Sequence, residues 1–214
     1  MGRVRLALLA RVFAALVLAV ATHSAALAQT QADLTVPEPA SVSLDAATTS
    51  LVAIDFLQST CASNPLCVNT LPAMANALST ARTANAHVIY SVHLAPDNNI
   101  VPEVAPLLAE QVFAAIPGDK FFDSNLDYLL RQTGTTTVVL SGVSSNSGVM
   151  YTTAAAIQRG YTVVIATDAI AAANELSTTV ALWQLLHGPG ANPQNVPLQP
   201  KAVTLSRSDL ITYK

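Results

Sequence analysis

Ser50-Leu51-Val52-Ala53-Ile54-Asp55 is an unbroken apolar run that ends in a carboxylate. Alternating polar and apolar residues would mark a strand with one wet face; an unbroken run marks a strand covered on both faces. Helices must then lie above and below it, as in a parallel α/β sheet. His87-Val88-Ile89-Tyr90-Ser91-Val92, Thr137-Val138-Val139-Leu140, Thr162-Val163-Val164-Ile165-Ala166 and Ala202-Val203-Thr204-Leu205 read the same way, and a weaker strand is expected at Gln111-Val112-Phe113. Between them, Leu71, Met74, Leu78 and Ala81 predict a helix over 70–85, and Leu126, Leu129 and Leu130 a helix stopped by Gly134. Further helices are expected over 149–159, ended by Gly160, and over 175–186, with a short terminal helix starting at Ser208 and Asp209. Strands alternating with helices imply right-handed crossovers. The loop 188–200 is long enough to be functional or to pack on a neighbouring subunit.

The N-terminus is a separate object. Arg3, Arg5 and Arg11 precede the apolar run 12–21, and Ala26-Leu27-Ala28 follows before Gln29. This pattern reads as a secretory signal peptide over 1–28, with export to the periplasm or medium. The rival reading is a retained anchor, but the run is short for a bilayer span of ~20 residues. Residues 29–46, rich in Pro, Ala, Ser and Thr, read as an extended leader, and 47–214 as one domain. Without the three leader arginines, seven basic residues stand against thirteen acidic ones, a net charge of about −6. The basic footprint of a nucleic-acid binder is absent, and no stable membrane anchor is expected after cleavage. Cys61 and Cys67 are the only cysteines; in an exported chain they read as a short-loop disulfide, the alternative being free thiols with one as nucleophile. No cysteine or histidine spacing suits zinc, so neither metal nor cofactor is expected.

Ligands of open parallel sheets gather at the carboxyl ends of the strands. Asp55 ends the first predicted strand, where a partly desolvated carboxylate suits proton transfer; the alternative is a structural cap. The stretch Gly142-Val143-Ser144-Ser145-Asn146-Ser147-Gly148-Val149 joins a strand to a helix, and amides at such a helix start can hold an oxyanion. Ser145 or Ser147 is conceivable as a nucleophile, but no G-x-S-x-G elbow is present. Lys120, between Asp119 and Phe121-Phe122, either lies against apolar surface beside a carboxylate or is an ordinary solvated lysine. His93 and His187 are isolated in sequence, Asp168 reads as a cap or loop anchor, and Trp183 and Phe113 read as core or contact residues.

The order of these pieces resembles the isochorismatase-like superfamily, which includes nicotinamidase-type cysteine hydrolases. The resemblance rests on Leu51-Val52-Ala53-Ile54-Asp55-Phe56, Phe121-x-x-Ser124-x-Leu126 and Val138-Val139-Leu140-Ser141-Gly142-Val143. It continues through Thr152-Thr153-Ala154, Arg159-Gly160-Tyr161 and Val163-x-x-Ala166-x-Asp168. It implies a three-layer α/β/α sandwich with a mostly parallel, about six-stranded sheet. The family's Asp maps to Asp55. Its Lys has one nearby candidate, Lys120, although the usual Lys precedes the matched Phe by several residues and Lys120 adjoins Phe121. Its nucleophilic Cys position falls on Gly148, its oxyanion amides on Ser144 and Gly148, and its common cis peptide on Val143–Ser144. The family's metal-binding Asp and His residues after the second strand are not reproduced around His93. Glycine at the Cys position also occurs in true isochorismatases, which cleave a vinyl ether without a covalent intermediate. The resemblance therefore implies a hydrolase of a small polar molecule that uses Asp-centred acid/base chemistry, with His93 and Ser147 as candidate substrate contacts and a homo-oligomer as the expected assembly. The rival is a catalytically silent binding or scaffold protein that keeps the fold.

Overall fold

The computed structural model describes residues 34–94 and 96–214. The signal peptide expected at 1–28 lies outside the described residues. Val36–Lys214 forms one compact unit.

Six strands build the central sheet: β2 (Thr49–Ile54), β3 (His87–His93), β4 (Gln111–Ala115), β5 (Thr137–Val143), β6 (Thr162–Ala171) and β7 (Val203–Ser206). All neighbours are parallel, in the order β4-β3-β2-β5-β6-β7. Alternate residues of β2 feed two separate cores, as the period of a strand requires. Leu51 and Ala53 pack with Leu71, Met74 and Leu78 of helix α2 (Pro65–Thr83). Val52 and Ile54 pack with Leu126 and Leu130 of α3 (Leu126–Gln132), Ala156 of α4 (Met150–Gln158) and Leu186 of α5 (Glu175–His187). Each of the Val, Leu, Ile and Met side chains among these contributes about 1.5–3 kcal/mol on burial. This is the expected three-layer α/β/α sandwich with a six-stranded sheet.

Several local expectations change. Helix α2 starts earlier than residue 70, because Pro65 supplies a first-turn residue with no N–H to satisfy and the Asn64 side chain accepts from the amides of Leu66 and Cys67. One α-helical turn, α1 (Gln58–Cys61), precedes it. The expected terminal helix at Ser208 is instead a turn followed by β8 (Ile211–Tyr213). β8 pairs in parallel with β1 (Val42–Leu44), so the end of the segment read as an extended leader is a strand of the fold. Asp168 explains the turn: its carboxylate accepts from the Ser208 amide and hydroxyl, both at 2.8 Å. Asp168 is thus a loop anchor, and the cap of α5 is Asn174, whose side chain accepts from the Ser177 amide.

Strands β2 and β5 approach closely at Gly142, whose φ is +152°; a Cβ there would run into the Ile54 carbonyl oxygen. Glycine is required at that point. Among the described residues, no helix is long and apolar enough to cross a membrane.

Candidate active site

The chain leaves β2 to build β3 and β4 on one side of the sheet, then returns to build β5, β6 and β7 on the other. The reversal lies between β2 and β5, and the carboxyl ends of strands at such a reversal are where ligands of open α/β sheets bind. Asp55 follows β2 and the 144–148 turn follows β5, so both come to this place from adjacent strands.

Asp55 is only 2% exposed and adopts φ +53°, a region Asp tolerates better than most residues. Its amide donates to the Ser91 carbonyl at 3.2 Å and its carbonyl accepts from Leu57 at 2.8 Å, which aims the side chain away from the line of β2. Oδ1 accepts from the Ser91 hydroxyl at 2.7 Å. Oδ2 lies 2.6 Å from Lys120 Nζ and 2.9 Å from His93 Nε2. Lys120 is fully buried, which removes the reading of it as a solvated side chain. Its ammonium also donates to the Ile116 carbonyl at 3.1 Å. The turn that carries it is pinned from three sides: the Lys120 amide donates to Thr152 Oγ1, the Ser124 hydroxyl to the Lys120 carbonyl, and the Phe121 amide to Asp119 Oδ1. Phe121 is buried beneath the Arg159 guanidinium, while Phe122 faces solvent. The lysine therefore meets the carboxylate although it adjoins the matched phenylalanine.

Gly148 completes the group. It sits in a single π-helical turn (Ser145–Val149) that leads into α4, a deformation frequent at functional sites. A Cβ added to Gly148 would stand 3.9 Å from Asp55 Oδ2, 3.8 Å from Lys120 Cε and 3.0 Å from Ile54 Cγ2. The position mapped to the nucleophile thus faces the ion pair and carries no side chain. The Val143–Ser144 peptide is cis, as the resemblance implied.

The remaining candidates separate. Ser144 opens the turn, and its hydroxyl donates to Asn146 Oδ1. The Ser145 hydroxyl is buried against Thr178 Oγ1 at 2.9 Å, so it meets no base. Ser147 is half-buried in the π-helical turn. His187 stacks on Trp183 with ring centroids 4.3 Å apart. Both line a groove of about 410 Å³ with Met150, Tyr151 and Pro189, and Phe113 is core. Cys61 and Cys67 are joined in a disulfide, which excludes either as a free thiol nucleophile.

Ser91 is the contact that the sequence reading lacks, and His93, a candidate substrate contact there, meets the Asp55 carboxylate. They are two apart on β3, so they share a face, and Ser91 pairs in register with Ile54, one residue before Asp55. That spacing beside a strand ending in Asp was the available signal.

The isochorismatase domain model matches residues 49–193. No curated protein sequence matches the chain. Among solved structures, N-carbamoylsarcosine amidase from Thermoplasma acidophilum is 21% identical with a TM-score of 0.64, covering 76% of this chain and 97% of that one. A cysteine hydrolase from Pseudomonas syringae pv. phaseolicola is 15% identical with a TM-score of 0.69, covering 81% and 95%. The nicotinamidase of Staphylococcus aureus is 18% identical with a TM-score of 0.60, covering 65% and 93%. At these identities the solved structures establish the shared fold, and the family model, which spans five of the six strands of the central sheet, from β2 through the loop after α5, establishes membership: this chain belongs to the isochorismatase family.

Proposed function

We propose that the protein is an exported hydrolase of a small polar molecule, working by Asp55-centred acid/base chemistry without a cysteine nucleophile. The observation that carries this reading is the buried contact of Asp55 Oδ2 with Lys120 Nζ at 2.6 Å, facing the bare backbone of Gly148. Lys120 and Ser91 both donate to Asp55 and fix the orientation of its carboxylate. In an ester or amide, water takes the place of the missing sulfur. Asp55 accepts a proton from that water as its oxygen adds to the carbonyl carbon. The negative charge that develops on the carbonyl oxygen is met by the amides of Ser144 and Gly148. The tetrahedral species collapses, and Asp55 returns the proton to the leaving group. For a vinyl ether, the same carboxyl, protonated first, is the acid. General acid–base catalysis of this kind supplies typically ~10²–10⁴-fold.

The leader pattern of residues 1–28 and the disulfide between Cys61 and Cys67 both support export. The relatives named for amidase and nicotinamidase activity support a small-molecule substrate. The test is a panel of small esters, amides and vinyl ethers offered to the mature protein. Hydrolysis should be lost in Asp55→Asn, with the fold checked by circular dichroism, and should survive iodoacetamide. Full activity in Asp55→Asn would overturn the assignment, and a folded wild type inert to the whole panel would favour the silent-scaffold reading.

A further inference from the structure

The two edges of the central sheet are finished differently. At the β7 edge, the Val163 amide donates to the Ala202 carbonyl at 3.0 Å, so the backbone groups of Val203 and Leu205 face away from β6. Those groups are occupied. The Val203 carbonyl accepts from the Asn192 side-chain amide at 2.8 Å. The Leu205 amide donates to Asn195 Oδ1 at 2.7 Å, and its carbonyl accepts from the Asn195 side chain and the Ala40 amide. At the β4 edge, the Leu94 amide donates to the Ala115 carbonyl at 3.2 Å. Gln111, Phe113 and Ala115 therefore bond to β3, and the amides and carbonyls of Val112 and Ala114 point outward. These four groups have no partner among the described residues. The edge is also unguarded. Natural sheet edges are commonly blunted by charges, prolines or bulges. The five residues of β4 are uncharged, contain no proline and run in unbroken register with β3. Val112 is 47% exposed, and Leu107, Leu108 and Ile116 beside the strand are exposed too. Glu110, the one charge between residues 104 and 118, is spent on Arg82 at 2.8 Å and on the Leu107 amide at 2.7 Å.

We propose that β4 is a homodimer interface, pairing antiparallel with β4 of a second copy about a two-fold axis at Phe113. In that register Val112 of each copy stands opposite Ala114 of the other. Residues opposite each other in a hydrogen-bonded antiparallel pair exchange both N–H···O bonds. Four intersubunit bonds form, and they use every outward amide and carbonyl of Val112 and Ala114 in both copies. Two observations select a second copy as the occupant. The edge is complementary to itself, since each outward donor meets an outward acceptor within the strand. The β7 edge is closed by Asn192, Asn195 and Ala40, so β4 cannot add there and head-to-tail stacking into a filament is blocked. The isologous contact remains, and it joins two six-stranded sheets into one of twelve strands.

Sedimentation velocity of the full mature protein over a concentration series tests this. Wild type should approach twice the monomer mass. Ala114→Pro removes an amide hydrogen that points away from β3, so the bonds between β3 and β4 are kept. It deletes two of the four intersubunit bonds and should raise the dimer Kd by at least about 30-fold. Two exposed double variants read the register. Val112→Glu/Ala114→Glu sets like charges opposite each other and should give monomer. Val112→Lys/Ala114→Glu sets opposite charges there and should keep the dimer. Circular dichroism checks that each variant folds, and the charged pair decides the matter should the proline disturb β4. A monomeric wild type overturns the proposal and leaves the edge to a strand of another protein. A dimer that persists unchanged in Ala114→Pro and in Val112→Glu/Ala114→Glu forms through another face and overturns it as well. Equal dissociation of the two charged variants refutes the antiparallel register.

Discussion

Replacing Lys120 with methionine tests the physical core of the site without needing a substrate. Methionine keeps most of the aliphatic stem and removes the charge. At 2.6 Å, with an effective dielectric near 20, the Lys120 to Asp55 attraction is about 6 kcal/mol. Much of this only offsets the desolvation of two buried ions, so the pair as a whole adds little to stability. Removing one member is different, because the other stays buried and uncompensated, typically at about 3–5 kcal/mol. Asp55 would keep Ser91 and His93, which places Lys120→Met toward 3 kcal/mol. Asp55→Asn strands the ammonium with the Ile116 carbonyl and should cost a similar amount. The double variant Asp55→Asn/Lys120→Met leaves no unpaired charge, so it should lose less than the sum of the singles by about 2 kcal/mol or more. Urea denaturation at pH 7.5, with midpoint and slope fitted for all four proteins, measures the cycle. A loss below about 1 kcal/mol in Lys120→Met, or strict additivity in the double variant, would refute the claim that a desolvated ion pair anchors this site.

Gly148→Cys should create an alkylatable thiol beside the ion pair, with Ile54 giving way by a few tenths of an ångström and a stability cost of about 1–2 kcal/mol. Mass spectrometry after iodoacetamide without reductant reads it; wild type should gain no label, since both native sulfurs are bonded, and an unlabelled variant would place residue 148 away from the site. Cys61→Ser/Cys67→Ser opens a loop of sequence separation 6 and should cost about 2 kcal/mol by chain entropy, an effect that reductant should reproduce in wild type. Burial pushes the Tyr213 phenol up to about 12, so its contribution is intact below pH 10, the unfolded value, and is lost as pH rises through 12. Thermal melts between pH 9 and 12 should fall more steeply in wild type than in Tyr213→Phe; equal slopes would contradict that burial.

Local pattern carried a good part of the fold and one arm of the site. An apolar run with no alternation, short and rich in Val and Ile, fits a strand covered on both faces, so the sheet, its order of alternation with helices, and Asp55 at a carboxyl end follow from residues 50–55 and their counterparts. The turn that carries Gly148 was legible as a strand-to-helix junction, and the family resemblance singled out the glycine within it. The rest depends on contacts between distant segments. In the sequence, Lys120 is linked to Asp55 only through the family resemblance; it meets that carboxylate because a turn without regular structure is pinned by Thr152 and Ser124, and no periodicity records such a turn. Ser91 and His93 converge on the same carboxylate through the register of β3 against β2, a relation between chains of hydrogen bonds rather than within one. Strands β1 and β8 are three residues each and lie more than 160 residues apart in the sequence, at 42–44 and 211–213, so neither carries a pattern of its own. Each becomes a strand because its backbone groups find partners in the other, and only the closed tertiary structure brings those partners together.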